Sequence, residues 1–403
     1  MNTKSTTGPL AGTRVLELAA VGPVAFAGML LADLGADVIR VDRCSDVDVP
    51  ATDALSAMLA GADGLGRGKR RIAVDLTNDD GRALVLGIAV TCDVLLEGFR
   101  PGVAERLGLG PDAVRECNPR LVYSRFTGWG QDGPLAHHVG HEIDYLAITG
   151  VLDGVGTTES GPIAPVGVAG DYPAGMLGVI GVLAALTERT SSGLGQVVDA
   201  AIIDGVLLTS MVQRHLRLGD GWGPRGTNVF DGGSHFYRSY RTADDRWVAF
   251  GAMEPRFHDE MLHALGIDPT GIDQFAPSTW PELATRIQAV IEGATQAEWI
   301  ERLSDQDVCF APVLSAQEAS VHPHLSERNC FVDTGRHPQA APAPRLSRTP
   351  PPFPSPTAPA GHHTVELLSS MGIPRATIGQ LLDCGAVRQA APRGAAVLSD
   401  GAE

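Results

Sequence analysis

The stretch from residue 13 to residue 42 does most to limit what this chain can fold into. Arg14 to Leu18 is a short apolar run of strand type, and Ala36 to Val41 returns as a second. Between them Pro23 can open a helix, because its missing N–H is one that a first turn leaves unpaired anyway. Strand, helix and strand in that order make a βαβ crossover, whose strands lie parallel and whose faces must be covered. Arg71 to Leu76, Val94 to Glu97 and Leu121 to Phe126 continue the strand pattern, with a helical stretch from Gly81 to Ile88. The expectation is an α/β fold built on a mostly parallel, helix-covered sheet, with ligands bound beyond the carboxyl ends of its strands.

Further along, Pro173 to Leu186 is almost entirely apolar and stops at Ser191, Ser192 and Gly193, which predicts a buried helix with Asp171 just before its first turn. Ala200 to Leu218 reads as another helix, leading to a Gly-rich stretch from Gly221 to Gly233. The style then changes. His235 to Tyr240 and Arg246 to Met253 flank a turn at Thr242 to Asp245 and predict a hairpin. Two amphipathic helices follow, one with Leu283, Ile287, Val290 and Ile291 on a face, the other opened by a capping box from Thr295 to Glu298. Residues 336 to 361 are Pro-rich and predicted extended, and Val365 to Leu382 resumes a helical pattern. The expected division is a large domain over 1–215, a linker over 216–230, a smaller α+β domain over 231–330, a return segment and helix over 331–385 completing the large domain, and a disordered tail over 386–403.

With 403 residues, 44% of them hydrophobic, the chain can bury a sizeable core. Its net charge of -16 disfavours nucleic acid or an anionic membrane as partner, since both would be repelled. Met1 to Gly8 is polar and the first apolar run carries Arg14 and Glu17, so the reading is of a cytoplasmic chain without a signal or membrane segment. Cys44, Cys92, Cys117, Cys309, Cys330 and Cys384 lie far apart with no CxxC pair, and read as reduced thiols.

Three acid–base candidates stand at the ends of apolar elements: His141, Asp171 and Glu254. Each alone has an ordinary reading as a satisfied histidine, a helix cap or a strand end. His137, His138 and His141 invite a metal site, but adjacent histidines point apart and no third ligand type accompanies them, so no metal is expected. Gly64, Gly66, Gly68 and Lys69 approach a phosphate loop, yet Asp63 and Arg70 occupy positions that need Gly and Ser or Thr; GxGxxG and GxSxG are absent. Arg40, Lys69, Arg70, Arg71, Arg100 and Arg106 are expected to converge on one rim of the sheet, where guanidinium forks could hold an adenosine phosphate, with an ordinary solvated face as the alternative.

Pro9 to Leu18 and Ala32 to Asp42 together resemble the opening of the type III CoA-transferase superfamily, and the likeness continues through Gly66 to Arg70, Leu96 to Val103, Phe126 to Pro134 and Asn228 to Gly233. His141 in Gly140-His141-Glu142-Ile143-Asp144-Tyr145, with Glu254-Pro255-Arg256-Phe257, is similar to the α-methylacyl-CoA racemase branch, where transferases usually carry an aromatic residue in place of that histidine. The resemblance implies a Rossmann-like large domain, a small domain and an interlocked homodimer in which Glu254 of one chain completes a site holding His141 and Asp171 of the other. It implies an acyl-CoA substrate, no cofactor beyond that coenzyme A moiety, and coenzyme contacts from Arg40, Val74, Asp75, Leu76, Thr77, Gly98, Phe99, Arg100, Arg106, Gly140, Glu142, Ile143, Asp144 and Tyr145.

The implied chemistry is inversion of a methyl-bearing carbon next to the thioester: His141 and Asp171 flank a planar enolate, Glu254 orients His141, and N–H groups at the helix start after Asp171 steady the oxyanion. Glu142, Asp144, Ser234 and His235 depart from the racemase pattern and put the acyl group, rather than the reaction, in question. Two rivals stand beside it: CoA transfer with Asp171 as covalent nucleophile, and an inactive CoA-binding protein.

Overall fold

The computed structural model describes residues 7–48, 63–333 and 337–391. Its strands in chain order are β1 (Arg14–Leu18), β2 (Asp37–Asp42), β3 (Arg70–Val74), β4 (Val94–Glu97), β5 (Val122–Thr127), β6 (Gly156–Thr157), β7 (Gly161–Pro162), β8 (Val197–Ala201), β9 (Tyr237–Arg241), β10 (Trp247–Gly251), β11 (Phe310–Pro312), β12 (Phe331–Asp333), β13 (Pro338–Ala340) and β14 (Val387–Arg388). The chain divides into two compact units: Met1–Tyr145 with Val168–Val206 and Asn329–Glu403, and Leu146–Gly167 with Leu207–Arg328.

The first unit holds a seven-stranded sheet in the order β14-β3-β2-β1-β4-β5-β8. Every pairing from β3 to β8 is parallel. The early βαβ reading therefore stands, with the helix Pro23–Asp33 as crossover. Because β1 lies between β2 and β4, the strand order reverses there, and a doubly wound sheet opens its ligand crevice at such a point. Val15, Leu16, Ile39, Ile72, Val94 and Leu95 are fully buried, as continuous apolar strands covered on both faces must be.

Three expectations need correcting. Ala200 and Ala201 are not helical but end β8, whose parallel partner is β5; the β-branched Val197 and Val198 carry the strand. The helix Asp171–Ser192 is apolar from Pro173 to Leu186 yet not wholly buried there: Met176 is 51% and Ile180 62% exposed, while Ala174, Gly175, Gly178, Val179, Val182 and Ala185 face the core. The segment read as a disordered tail begins as β14, antiparallel to β3, because Val387 joins the core of that sheet edge. Of that tail, residues 392–403 lie outside the described residues, as do residues 334–336, the last of which opens the Pro-rich stretch.

In the second unit, β9 and β10 form the predicted hairpin, with Asp245 in the left-handed region at its turn and β11 on the other side of β10. The helix Trp280–Ile291 packs Ala284, Ile287 and Ile291 into the core that holds Tyr240, Val248 and Phe250 of that hairpin, and Leu283 is buried as well. Both halves of the Thr295–Glu298 capping box are made, so the helix Gln296–Leu303 starts where the sequence marks it.

Candidate functional site

The carboxyl ends of β1 to β4 surround a cavity of about 370 Å³ lined by Ala19, Val41 to Ser45, Val74 to Thr77, Phe99 and Leu107. Val74, Asp75, Leu76, Thr77 and Phe99, named above as coenzyme contacts, are thus brought to one place at the reversal of strand order. Asp75 fixes the rim: its Oδ1 accepts from the Thr77 amide at 2.8 Å and hydroxyl at 2.7 Å, and these bonds hold its carboxyl below the ordinary range. Gly98 leaves no room for a side chain, since a Cβ there would stand 2.7 Å from Val24.

The cations do not all reach that rim. Arg14, Asp37 and Arg70 are the first residues of β1, β2 and β3, so Arg14 and Arg70 pair with Asp37 at the amino ends of the strands, on the opposite side. Glu17, Arg40 and Arg71 are register neighbours across β1, β2 and β3 and form one buried row. Glu17 accepts from Arg40 at 2.5 Å and Lys69 at 2.6 Å, and Asp42 accepts from Arg40 at 2.9 Å and Arg71 at 2.8 Å. Burial pushes the Lys69 ammonium down to about 8, partly offset by Glu17. Within the row Arg40 is committed to two carboxylates and is not a free phosphate fork; its charge is already matched. Arg43 at the cavity, and Arg100 and Arg106 after β4, are the exposed guanidiniums on the carboxyl side.

A second locus gathers His141, Glu142 and Asp171, all in the first unit. His141 precedes the short helix Glu142–Ile148, and its amide donates to Asp144 Oδ2 at 2.9 Å, so Asp144 acts as a cap. Tyr145 anchors this turn by donating to the Gly140 carbonyl at 2.6 Å and packing edge-on against Trp129. It lies so close to residue 128 that a Cβ there would stand 2.0 Å from its hydroxyl, which explains glycine before Trp129. His141 and Ile143 are exposed and Gly140 is half-buried.

Asp171 is the first residue of its helix, which begins at Gly170. That helix crosses the Pro23–Asp33 helix through small residues: Gly175 lies against Phe26 and Pro23, and the Phe26 and Tyr172 rings are 5.0 Å apart. Gly22 adopts φ 64° and a Cβ there would be 2.8 Å from Asp171 Oδ2, so the loop before the first helix must present glycine to the carboxylate. The Asp171 carboxyl is raised above the usual range, first by burial and then by the Glu142 charge, with His141 pulling the other way. Glu142 Oε1 accepts from the Gly170 amide, so the turn that carries His141 lies against the turn that carries Asp171.

The donors expected at this helix start are fewer than the sequence suggested. The Gly170 amide is taken by Glu142 Oε1, and Pro173 has none, which leaves the amides of Asp171 and Tyr172. Glu254 belongs to the second unit, where it is exposed and caps the helix Pro255–Ala264.

Sequence reasoning missed one cluster. His235 and His258, both buried in the second unit, face each other with Nε2 atoms 2.8 Å apart, and His258 Nδ1 is 3.2 Å from Asp259. Burial pushes His235 down to about 4. Their separation by a hairpin hid the pair: His235 stood out in sequence, but His258, one residue past the Glu254 to Phe257 segment, did not. Among the described residues no group of three or more His, Cys, Asp or Glu is placed to hold a metal ion, and no helix is long and apolar enough to cross a membrane.

Fold and side chains together define a doubly wound α/β protein with a crevice at its strand ends and a carboxylate at the start of a helix whose first turn is tied to the turn that carries an imidazole. The chain belongs to CoA-transferase family III, whose pattern matches residues 10–364. It is 39% identical to the α-methylacyl-CoA racemase of Mus musculus over 377 residues, 92% of this chain and 96% of that one. With the α-methylacyl-CoA racemase of Homo sapiens it shares 38% identity, again over 92% and 96% of the two chains. In fold it resembles the crystal structure of a CAIB/BAIF family protein from Brucella suis, with a TM-score of 0.78 at 23% identity, covering 91% of this chain and all of that one.

Proposed function

We propose that this protein is a racemase of 2-methylacyl-CoA thioesters, in which His141 and Asp171 exchange a proton with the carbon next to the carbonyl. The observation that carries the reading is that Glu142, next to His141, accepts from the amide of Gly170, next to Asp171, which sets the two turns side by side; burial and Glu142 also raise the Asp171 carboxyl. A carboxyl raised in this way is a stronger base than an exposed one and holds a proton more readily, as a group that must act as both base and acid requires. One of the pair withdraws the proton, a planar enolate forms, and the other returns a proton to the opposite face. The developing oxyanion is within the reach of the Asp171 and Tyr172 amides, which also lie at the positive end of the helix dipole.

The coenzyme moiety occupies the cavity at the strand ends, with its phosphates toward Arg43, Arg100 and Arg106. In this reading Arg40 contributes through the buried row that shapes the crevice, and Gly98 through the space it leaves. Two chains interlock so that Glu254 of one reaches His141 of the other and fixes its tautomer. No cofactor beyond coenzyme A takes part, and the protein works in the cytoplasm.

The test is incubation with a panel of branched acyl-CoAs in deuterated buffer. Deuterium is expected at the α-carbon without an acceptor acid, and is lost in His141→Ala and Asp171→Ala. Exchange that depends on an acceptor acid, with acyl trapped on Asp171, would instead establish CoA transfer; thioester binding without either would establish an inactive binding protein.

A further inference from the structure

Glu142 stands next to His141 in sequence, yet its carboxylate turns toward a different element. Oε1 accepts from the buried Gly170 amide, the residue that opens the Asp171 helix. The fit is close: a Cβ on Gly170 would lie 2.7 Å from Glu142 Cγ, so residue 170 cannot be larger without moving the glutamate. One side chain thus ties the turn that carries the histidine to the turn that carries the aspartate.

We propose that Glu142 is a positioning residue for Asp171, its carboxylate setting both the orientation and the charge surroundings of the Asp171 carboxyl during proton transfer. The inference rests on the acid–base reading of the same site. Without Glu142 the Gly170 amide would lose its partner in a buried position, and the first turn of the helix would be free to pair elsewhere.

The charge has a second effect. Glu142 is the largest charged contribution holding the Asp171 carboxyl up, after burial itself. The other titratable groups facing Asp171 are His141, which opposes it, and the Tyr145 hydroxyl, which is itself raised by burial and then by Asp171 and Asp144, against Arg100. From the Pro23–Asp33 helix only uncharged groups, Gly22 and Phe26 among them, approach this turn. Glu142 therefore brings the carboxyl nearer to its imidazole partner in proton affinity, which is what a two-base inversion needs if neither base is to trap the proton.

Glu142→Gln keeps an acceptor for the Gly170 amide and removes the charge; Glu142→Ala removes both; Glu142→Asp keeps the charge on a shorter arm. The reaction is followed as kcat/KM for each enantiomer across pH. A two-base racemase gives a bell-shaped profile whose acid limb follows the carboxyl. In Glu142→Gln the acid limb is expected to move to lower pH, with kcat/KM at the plateau falling roughly tenfold, the difference between a charged and a neutral hydrogen bond at the helix start. The loss must be equal in both directions, because the equilibrium constant belongs to the substrates. KM for the acyl-CoA moves little, and Glu142→Asp restores the acid limb toward its original position.

Titration of the Asp171 carboxyl carbon by NMR, assigned with Asp171→Asn, reads the same coupling without turnover. An Asp171 titration unmoved by Glu142→Gln overturns the inference on its own. Exchange absent from the unaltered protein overturns the underlying reading; exchange present with an unmoved acid limb overturns this inference alone.

Discussion

Acidification is expected to weaken the second unit through His235. A neutral imidazole is buried against His258 Nε2 at 2.8 Å, and its Nδ1 has no partner among the described residues. Its folded value, near 4, lies below the ordinary 6.5. Between those values the unfolded chain binds a proton that the folded chain refuses, so stability rises with pH across the window and is lost as pH falls from 6.5 toward 4. Each pH unit of that window is worth about 1.4 kcal/mol, and the whole of it about 3 kcal/mol, a sizeable fraction of a domain's stability. His258, also lowered by burial, adds in the same direction, with Asp259 partly offsetting it. Carboxyls raised by burial in the first unit, Asp33, Glu97 and Asp171, work with the opposite sign, since folding there binds protons. A variant is therefore needed to isolate the histidine. His235→Gln retains an amide able to meet His258 but cannot titrate. Urea unfolding followed by tryptophan fluorescence suits the measurement, because Trp280 lies 6.0 Å from Phe236, next to His235 in sequence. From pH 7 to pH 4.5 the unaltered protein should lose stability more steeply than His235→Gln, by about 1 kcal/mol per pH unit in the lower part of the window. Equal slopes for the two proteins would refute the assignment of a neutral buried imidazole.

Two other outcomes follow from close packing. Gly128→Ala places a methyl 2.0 Å from the Tyr145 hydroxyl and should cost about 2 kcal/mol in thermal unfolding, with exchange activity falling as the His141 turn is displaced. Leu76→Trp fills part of the 370 Å³ cavity and should weaken acyl-CoA binding by roughly tenfold or more, seen as raised KM with kcat nearly unchanged if coenzyme binding there is uniform between ground and transition states.

The sheet was legible because its strands are apolar runs of the right length, with the first crossover helix marked at its opening by Pro23. β8 was not, because Val197 and Val198 are followed by Ala200 and Ala201, whose small side chains fit a helix equally well; only parallel pairing with β5 decides. The apolar face of the Asp171–Ser192 helix was visible, but its exposed Met176 and Ile180 were not, since a helix that is apolar all round carries no mark of which side is covered. His141 and Asp171 were marked by motif, while the Glu142 link to Gly170 spans 28 residues of chain and exists only once both turns are placed. Arg40 and Arg70 show the limit of charge counting: the cations were visible in sequence, but Glu17 and Asp37, which pair with Arg40 and Arg70, stand on neighbouring strands and are found by register, while Asp42 meets Arg40 from two residues along the same strand.

That consumption also answers how a chain of net charge -16 can suit an anionic coenzyme. At physiological salt the field of a surface charge fades within about 8 Å, so carboxylates elsewhere on the molecule hardly reach the crevice. Within the row three cations, Lys69, Arg40 and Arg71, meet two carboxylates, Glu17 and Asp42. Low polarisability in the interior lets that excess act over a longer distance than a solvated lysine would. Arg43 lines the mouth of the cavity, and Arg100 and Arg106 are exposed after β4. In the proposed reading attraction at the crevice is a local balance, with the row's cations and the exposed Arg43 on one side and Asp75 at the rim on the other, and it coexists with the acidic exterior because the two act on different length scales.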